Sequence, residues 1–189
     1  MAEETGINPG YVSRVFAFLE REDLLERGDP LDTAFGRFQS VRLRKLIERW
    51  ARNYSFLTSN RVVSYLEPRD LVSLPARLAS AAPRVALTGS AAAAAVAPIA
   101  PTKLVMAYVD SPEDVAKTLD LRPADSGANV LLAEPYDAVV FKRIVKREEV
   151  PYVALSQAAV DLLGSPGRGP AEAQALLDWM EANESAWRC

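Results

Sequence analysis

Histidine is absent from the 189 residues, and cysteine occurs once, as Cys189 at the last position. Those two absences exclude disulfide frameworks, Cys/His zinc sites, Ser-His-Asp and Cys-His nucleophile systems, and any imidazole acid or base. No stretch approaches the roughly 18 uninterrupted apolar residues of a membrane span. Met1-Ala2-Glu3-Glu4 opens with acids, where a signal peptide has a basic start and an apolar run, so a soluble, intracellular protein is expected. An overall basic excess is also missing, since the net charge is -3.

What is present is an apolar content of 49%, enough to close one domain of ordinary size or two small ones. The charge is unevenly spread. Residues 1–84 carry 13 basic and 11 acidic side chains, a balance of +2, and residues 85–189 carry 9 and 14, a balance of -5. Such asymmetry suggests that one half meets a polyanion and the other does something else.

The first 25 residues read as two helices around a short turn. Gly6 suits a helix end, Asn8 an N-cap, and Pro9 the first helical position, where its missing N–H costs nothing. Val12, Val15, Phe16 and Leu19 then form an apolar stripe for packing, leaving Tyr11, Ser13, Arg14 and Ala17 on the other face. Residues 24–27 and 35–41, with a turn-rich segment between them, predict a hairpin or wing. From Arg42 the period is helical again: Leu43, Leu46, Ile47 and Trp50 face one way, and Lys45, Arg49 and Arg52 another. Residues 37–52 hold six basic side chains against one acid, Glu48.

The helix-turn-helix pattern has a physical warrant. A short turn sets the second helix steeply against the first, so its N-terminal side chains can enter a major groove. Tyr11, Ser13 and Arg14 would face the groove, and Asn8 with the free amides of the first turn suits a phosphate. Arg37, Arg42, Arg44, Lys45, Arg49 and Arg52 could track the backbone. The alternatives are a packing module used only for protein contacts and a solvated face whose arginines pair with Glu48. Only Met1 to Thr5 precede Gly6, so the first helix of such a domain is expected to be shortened or supplied by a partner chain.

Residues 53–84 are expected to form a helical connector, with residues 53–66 able to continue as helix and the domain junction near Pro83. Beyond it, short strands at 85–87, 103–109, 130–133, 139–141 and 152–154 alternate with helices at 90–96, 111–119, 156–163 and 170–183. Ser111 and Pro112 mark the start of one helix, with Glu113 and Asp114 in its first turn. The expected architecture is α+β: an N-terminal winged helix-turn-helix (1–52), then a mixed α/β domain (85–189).

Two further patterns raise an enzymatic alternative. Gly89-Ser90 at a strand-to-helix step followed by Asp110 at the next strand end resembles a triphosphate and metal site, although the second carboxylate of a D-x-D pair is missing. The glycine-rich loop 164–170 enters a helix, so Arg168 could bind phosphate, but the Lys-Ser/Thr ending of a P-loop is absent. A nucleotide-binding or degenerate nucleotidyltransferase-like domain using Ser90, Asp110 and Arg168 is therefore one alternative, and a protein-only adaptor another. The structural readings are an N-cap, a turn residue and an ordered turn between helices. Residues 125–129 read as a hairpin turn.

Together, the winged-helix start, Arg49-Trp50-Ala51-Arg52-Asn53-Tyr54-Ser55-Phe56, Ala86-Leu87-Thr88-Gly89-Ser90-Ala91-Ala92, Tyr108-Val109-Asp110, Gly127-Ala128-Asn129-Val130-Leu131-Leu132, Asp161-Leu162-Leu163 and Pro166-Gly167-Arg168-Gly169-Pro170-Ala171-Glu172-Ala173 resemble the AbiEi-type antitoxins of bacterial type IV toxin-antitoxin systems. The resemblance covers nearly the whole chain. It implies a cytoplasmic, non-enzymatic transcriptional regulator that binds double-stranded DNA repeats in its own promoter. It also implies a second domain tied to dimer contacts or antitoxin activity, and a nucleotidyltransferase-type toxin as partner. A homodimer is expected, because two half-sites add affinity. No cofactor or metal is expected.

Overall fold

Asn8 opens the first described element: its side-chain oxygen accepts from the Gly10 amide at 2.8 Å, and Pro9 takes the first turn of helix α1, Pro9–Arg21. The structure, a computed structural model, describes residues 8–27 and 38–187. The expected helix before Gly6, the tip of the wing and Cys189 lie outside these residues.

The chain divides into two units between Arg49 and Trp50. In the first, α1 ends where Asp23 adopts a left-handed backbone and the Leu24 amide reaches back to the Leu19 carbonyl at 2.8 Å. Strand β1, Leu25–Arg27, pairs antiparallel with β2, Phe38–Val41, and helix α2, Leu43–Ala51, follows directly and runs across the division. Among the described residues, the buried apolar side chains of this unit are Leu24, Leu25 and Ile47. The stripe predicted on α1 is only partly covered: Val12, Phe16 and Leu19 are half-buried, while Val15 is 38% exposed.

The second unit is built on a seven-stranded sheet ordered β6-β3-β7-β5-β4-β9-β8. Its strands are β3 (Arg61–Leu66), β4 (Val85–Thr88), β5 (Val105–Val109), β6 (Arg122–Pro123), β7 (Val130–Glu134), β8 (Val145–Arg147) and β9 (Val150–Tyr152). The helices are α3 (Phe56–Ser59), α4 (Leu74–Ala81), α5 (Gly89–Ala94), α6 (Pro112–Leu119), α7 (Leu155–Leu163), α8 (Gly169–Ala182) and α9 (Glu184–Trp187). Strands β4, β5 and β7 are almost wholly buried, which is why they read as continuous apolar runs. Side chains alternate between the two faces of a strand. Val85, Leu87, Val105, Ala107, Val109, Val130 and Leu132 pack with Leu74 and Leu78 of α4 and Val115, Ala116 and Leu119 of α6. Their neighbours Thr88, Met106 and Tyr108 take the opposite face, where they meet Asp161 and Ser165. The result is three layers, helix, sheet, helix.

Several expectations change. Residues 61–66 do not continue a helix; they form β3, which pairs antiparallel with β7 from Arg61↔Glu134 to Tyr65↔Val130. The strand partner lies far along the chain, and the segment shows no regular polar-apolar alternation to announce it. Residues 139–141, expected as a strand, belong to a 3-10 turn, Ala138–Phe141, capped by Asp137, whose carboxylate accepts from the Val139 amide at 2.7 Å. Residues 125–129 are not a hairpin turn, because β6 and β7 lie on opposite sides of β3. Asn129 instead clamps the end of β3: its side chain accepts from the Glu67 amide at 2.7 Å and donates to the Glu67 carbonyl at 2.9 Å. Helix α6 forms as read, with the Ser111 hydroxyl accepting from the Asp114 amide at 3.3 Å.

Candidate nucleic-acid interface

The N-terminal unit presents the predicted groove-facing residues at the surface. Tyr11 is 54% exposed, and Ser13 and Arg14 are also exposed. The Arg14 guanidinium lies 5.9 Å from the centre of the Tyr11 ring, and among the described residues no carboxylate pairs with it. Asn8, assigned to a phosphate from the sequence, uses its side chain to cap α1.

The remaining cations are placed differently. Arg42 and Lys45 both bond the Asp23 carboxylate, Lys45 at 3.0 Å. That lysine contact, with the Arg42 charge, holds the Asp23 carboxyl below its ordinary value. Arg49 reaches Glu22 at 3.4 Å and lies over the Phe18 ring at 5.9 Å, and Arg44 pairs with Glu48 at 3.3 Å one helical turn away. The basic face is thus neutralised in part by the two acids that end α1. Glu48 takes Arg44, whereas Arg52 is exposed in the second unit. Arg37 lies outside the described residues.

The second unit does not bring Ser90 and Asp110 together. Antiparallel pairing sets Val85 against Val109 and Thr88 against Met106, so Ser90 and Asp110 belong to opposite ends of the β4-β5 pair. Asp110 bonds Arg84 at 2.9 Å, and that guanidinium also covers the Phe141 ring at 4.4 Å. Ser90 donates to the buried Glu172 carboxylate, which Arg168 approaches to 3.8 Å while donating to the Pro101 carbonyl at 3.1 Å. Among the described residues, no group of three carboxylate or cysteine ligands gathers around a metal-sized space.

The glycines of these motifs serve close packing. A Cβ on Gly89, which has φ +61°, would come within 2.8 Å of the Met106 sulfur. One on Gly169 would meet Ser165 Cβ at 2.6 Å and the Leu162 carbonyl at 2.8 Å. Both positions require the absence of a side chain, for a chain reversal at one and for the approach of α8 to α7 at the other.

A buried polar cluster, which motif reading did not single out, lies on the face of the sheet toward α7. The Tyr108 hydroxyl bonds the Asp161 carboxylate at 2.9 Å and the Tyr54 hydroxyl at 2.6 Å. Gln157 donates to the same carboxylate at 2.9 Å, Thr88 donates to its second oxygen, and Asn60 donates to Tyr54 at 3.1 Å. Asp161, Tyr108 and Thr88 are fully buried. Burial pushes the Asp161 carboxyl up to about 6 against the hydrogen bonds that favour its charge, and pushes Tyr54 up to about 12. No buried side-chain polar atom of the described residues lacks a partner. An acid in the middle of the apolar run Ala158-Ala159-Val160-Asp161-Leu162-Leu163 was the available signal.

A further buried acid, Glu67, is held by Arg77 at 2.6 Å and by the Arg69 amide at 2.8 Å. Burial alone would raise its carboxyl, but these donors outweigh it and lower it. Tyr54, Thr88, Tyr108, Asn129, Asp161 and Glu172 all fall within the sequence stretches that carry the family resemblance. Each is bound into the interior framework of the second unit.

Residues 39–181 match the family model described as transcriptional regulator, AbiEi antitoxin, type IV TA system. The chain belongs to this AbiEi antitoxin family. No curated protein and no solved structure matches it significantly. The AbiEi match takes in the entire seven-stranded sheet and α2, while α1 with Asn8, Tyr11, Ser13 and Arg14 precedes it. No described helix is long and apolar enough to cross a membrane.

Proposed function

We propose that this AbiEi-family regulator binds double-stranded DNA through its N-terminal unit, a winged helix in which α1 is the recognition helix and the β1-β2 hairpin the wing. The observation that carries the reading is the start of α1, where an Asn-capped, proline-initiated helix exposes Tyr11, Ser13 and Arg14, and Arg14 has an aromatic neighbour and, among the described residues, no carboxylate in an ion pair. A guanidinium in that position can take a guanine edge or a phosphate, and Ser13 either a base or the backbone. Arg37, Arg42, Arg44, Lys45, Arg49 and Arg52 supply the salt-dependent, sequence-independent contribution. The exposed ion pairs on α2 are weak enough for phosphate to replace the carboxylates.

The family description supports transcriptional regulation and antitoxin activity. The finer reading is autorepression at repeats in its own promoter by a cytoplasmic homodimer, with a nucleotidyltransferase-type toxin as the partner of the second unit. The second unit acts as a scaffold for protein contacts; its buried acids are sequestered from substrate.

Fluorescence anisotropy against the DNA upstream of its own gene, at two salt concentrations, tests the proposal. Binding at low salt that weakens as salt rises, and that Arg14→Ala reduces by about tenfold, supports it. Absence of binding at low salt, or affinity indifferent to both salt and Arg14→Ala, overturns it.

A further inference from the structure

The β8-β9 hairpin, the start of α7 and residues of α8 and α9 line a cavity of about 250 Å³ in the second unit. Its walls combine two chemistries. Arg143 and Arg147 line it, together with the aromatic side chains of Tyr152, Trp179 and Trp187. Ser156 contributes a hydroxyl in the first turn of α7, and Ala154, which precedes that helix, offers no side-chain acceptor to its amides. Among the described residues, no Asp or Glu lines the cavity.

The two arginines differ from the five arginines of this unit that hold ion pairs. Arg61, Arg69, Arg77, Arg84 and Arg168 each pair with a carboxylate. Among the described residues, neither Arg143 nor Arg147 forms an ion pair. Arg147 is held in place through its bond to the Ala95 carbonyl at 2.6 Å. Trp187 is likewise fixed, its indole N–H donating to the Met180 carbonyl at 2.8 Å. Arg147 and Trp187 are thus each anchored by a bond to a backbone carbonyl, which leaves the Arg147 charge without a carboxylate partner among the described residues.

We infer that this cavity binds a small organic phosphate bearing an aromatic ring, of the size of a nucleoside monophosphate. Guanidinium groups are matched to phosphate oxygens, and planar rings stack on tryptophan and tyrosine. The site shares no residue with the proposed DNA contacts or with Ser90, Asp110 and Arg168, and the inference stands whether or not the N-terminal unit binds DNA.

Two of the three tryptophans of the chain line the cavity, so intrinsic fluorescence reads occupancy in the full-length protein. AMP, GMP, CMP and UMP are titrated beside adenosine and inorganic phosphate. The expected result is saturable quenching by at least one nucleoside monophosphate, at least tenfold weaker with adenosine and with phosphate alone. In Arg143→Gln/Arg147→Gln the midpoint should rise at least tenfold. Arg122→Gln, on the opposite edge strand, should leave it unchanged. Circular dichroism identifies any variant that fails to fold, and each single Arg→Gln change, on an exposed side chain, then takes the place of the double variant. The inference is overturned by no saturable response to any of the four nucleotides, by phosphate or adenosine matching them, or by a midpoint insensitive to the arginine changes.

Discussion

The two units are closed by opposite means. The second holds a sheet buried on both faces and places three acids, Asp161, Glu67 and Glu172, inside it, with no buried side-chain polar atom of the described residues left without a partner. The first, among its described residues, buries only Leu24, Leu25 and Ile47 and arranges its charged side chains at the surface around Asp23, Glu22 and Glu48. In the interior, a charged group is costly unless fully satisfied, so it fixes one arrangement of the elements that meet there. At the surface, a pair contributes little to stability and can exchange one partner for another. An interior built of the first kind suits a rigid scaffold. A surface built of the second suits contact with a polyanion.

The largest expected effect breaks the interior side of that contrast. Asp161→Ala removes the acceptor used by Tyr108, Thr88 and Gln157, leaving buried groups unsatisfied. It should destabilise the protein by about 3 kcal/mol in urea unfolding. A loss below about 1 kcal/mol would show that the cluster tolerates an opening to water. Charge can be separated from shape with Asp161→Asn. Burial raises the folded-state carboxyl from 3.8 to about 6. Between those values the folded chain keeps a proton that the unfolded chain has released. The stability this group contributes is therefore complete below pH 3.8 and lost as pH rises through about 6. Asp161→Asn removes that dependence, so its stability relative to the parent should improve by on the order of 2 kcal/mol between pH 4 and pH 7. Urea midpoints at the two pH values measure it, and parallel curves would contradict it.

How much of this contrast could be read from the sequence follows from the range of each interaction. The Asn8-Pro9 and Ser111-Pro112 starts were legible because a cap and its helix lie within three residues of each other. The burial of β5 and β7 was legible because continuous apolar runs of strand length require two covered faces. Strand β3 was not, since what makes Arg61–Leu66 a strand is β7, and their pairing with it leaves no local mark. The same holds for the polar cluster. Tyr108 and Asp161 belong to separate elements, and only their exclusion from water on one face of the sheet makes them partners. Ser90 and Asp110 fail as a pair for a matching reason: spacing along the chain suggested proximity, and the direction of the β4-β5 pairing undid it.

A middle-sized effect sharpens the surface side. Asn8→Ala deletes the side-chain acceptor for the Gly10 amide at the start of α1. It should cost about 1 kcal/mol of helix stability, confined to the N-terminal unit. Amide hydrogen exchange resolves this, with faster exchange in the first turns of α1 and unchanged protection in β4, β5 and β7. If protection fell in the sheet as well, the two units would not be energetically independent.

The smallest effect on stability is the most informative about function. Asp23 lies at the surface between Arg42 and Lys45 and takes both cations at once. In a folded-state role, Asp23→Asn would weaken the attachment of α2 to the end of α1. In a competitive role, it would leave stability unchanged and remove one negative charge from the face proposed to meet phosphate. Exposed pairs favour the second outcome, because each partner regains water when released. Thermal unfolding should therefore be indistinguishable from the parent, while affinity for duplex DNA rises about threefold at low salt and converges with the parent at high salt. A steeper dependence of log Kd on log salt would identify Lys45 as a phosphate contact. Unchanged affinity would confine Arg42 and Lys45 to a structural role and leave Arg14 to carry the interaction.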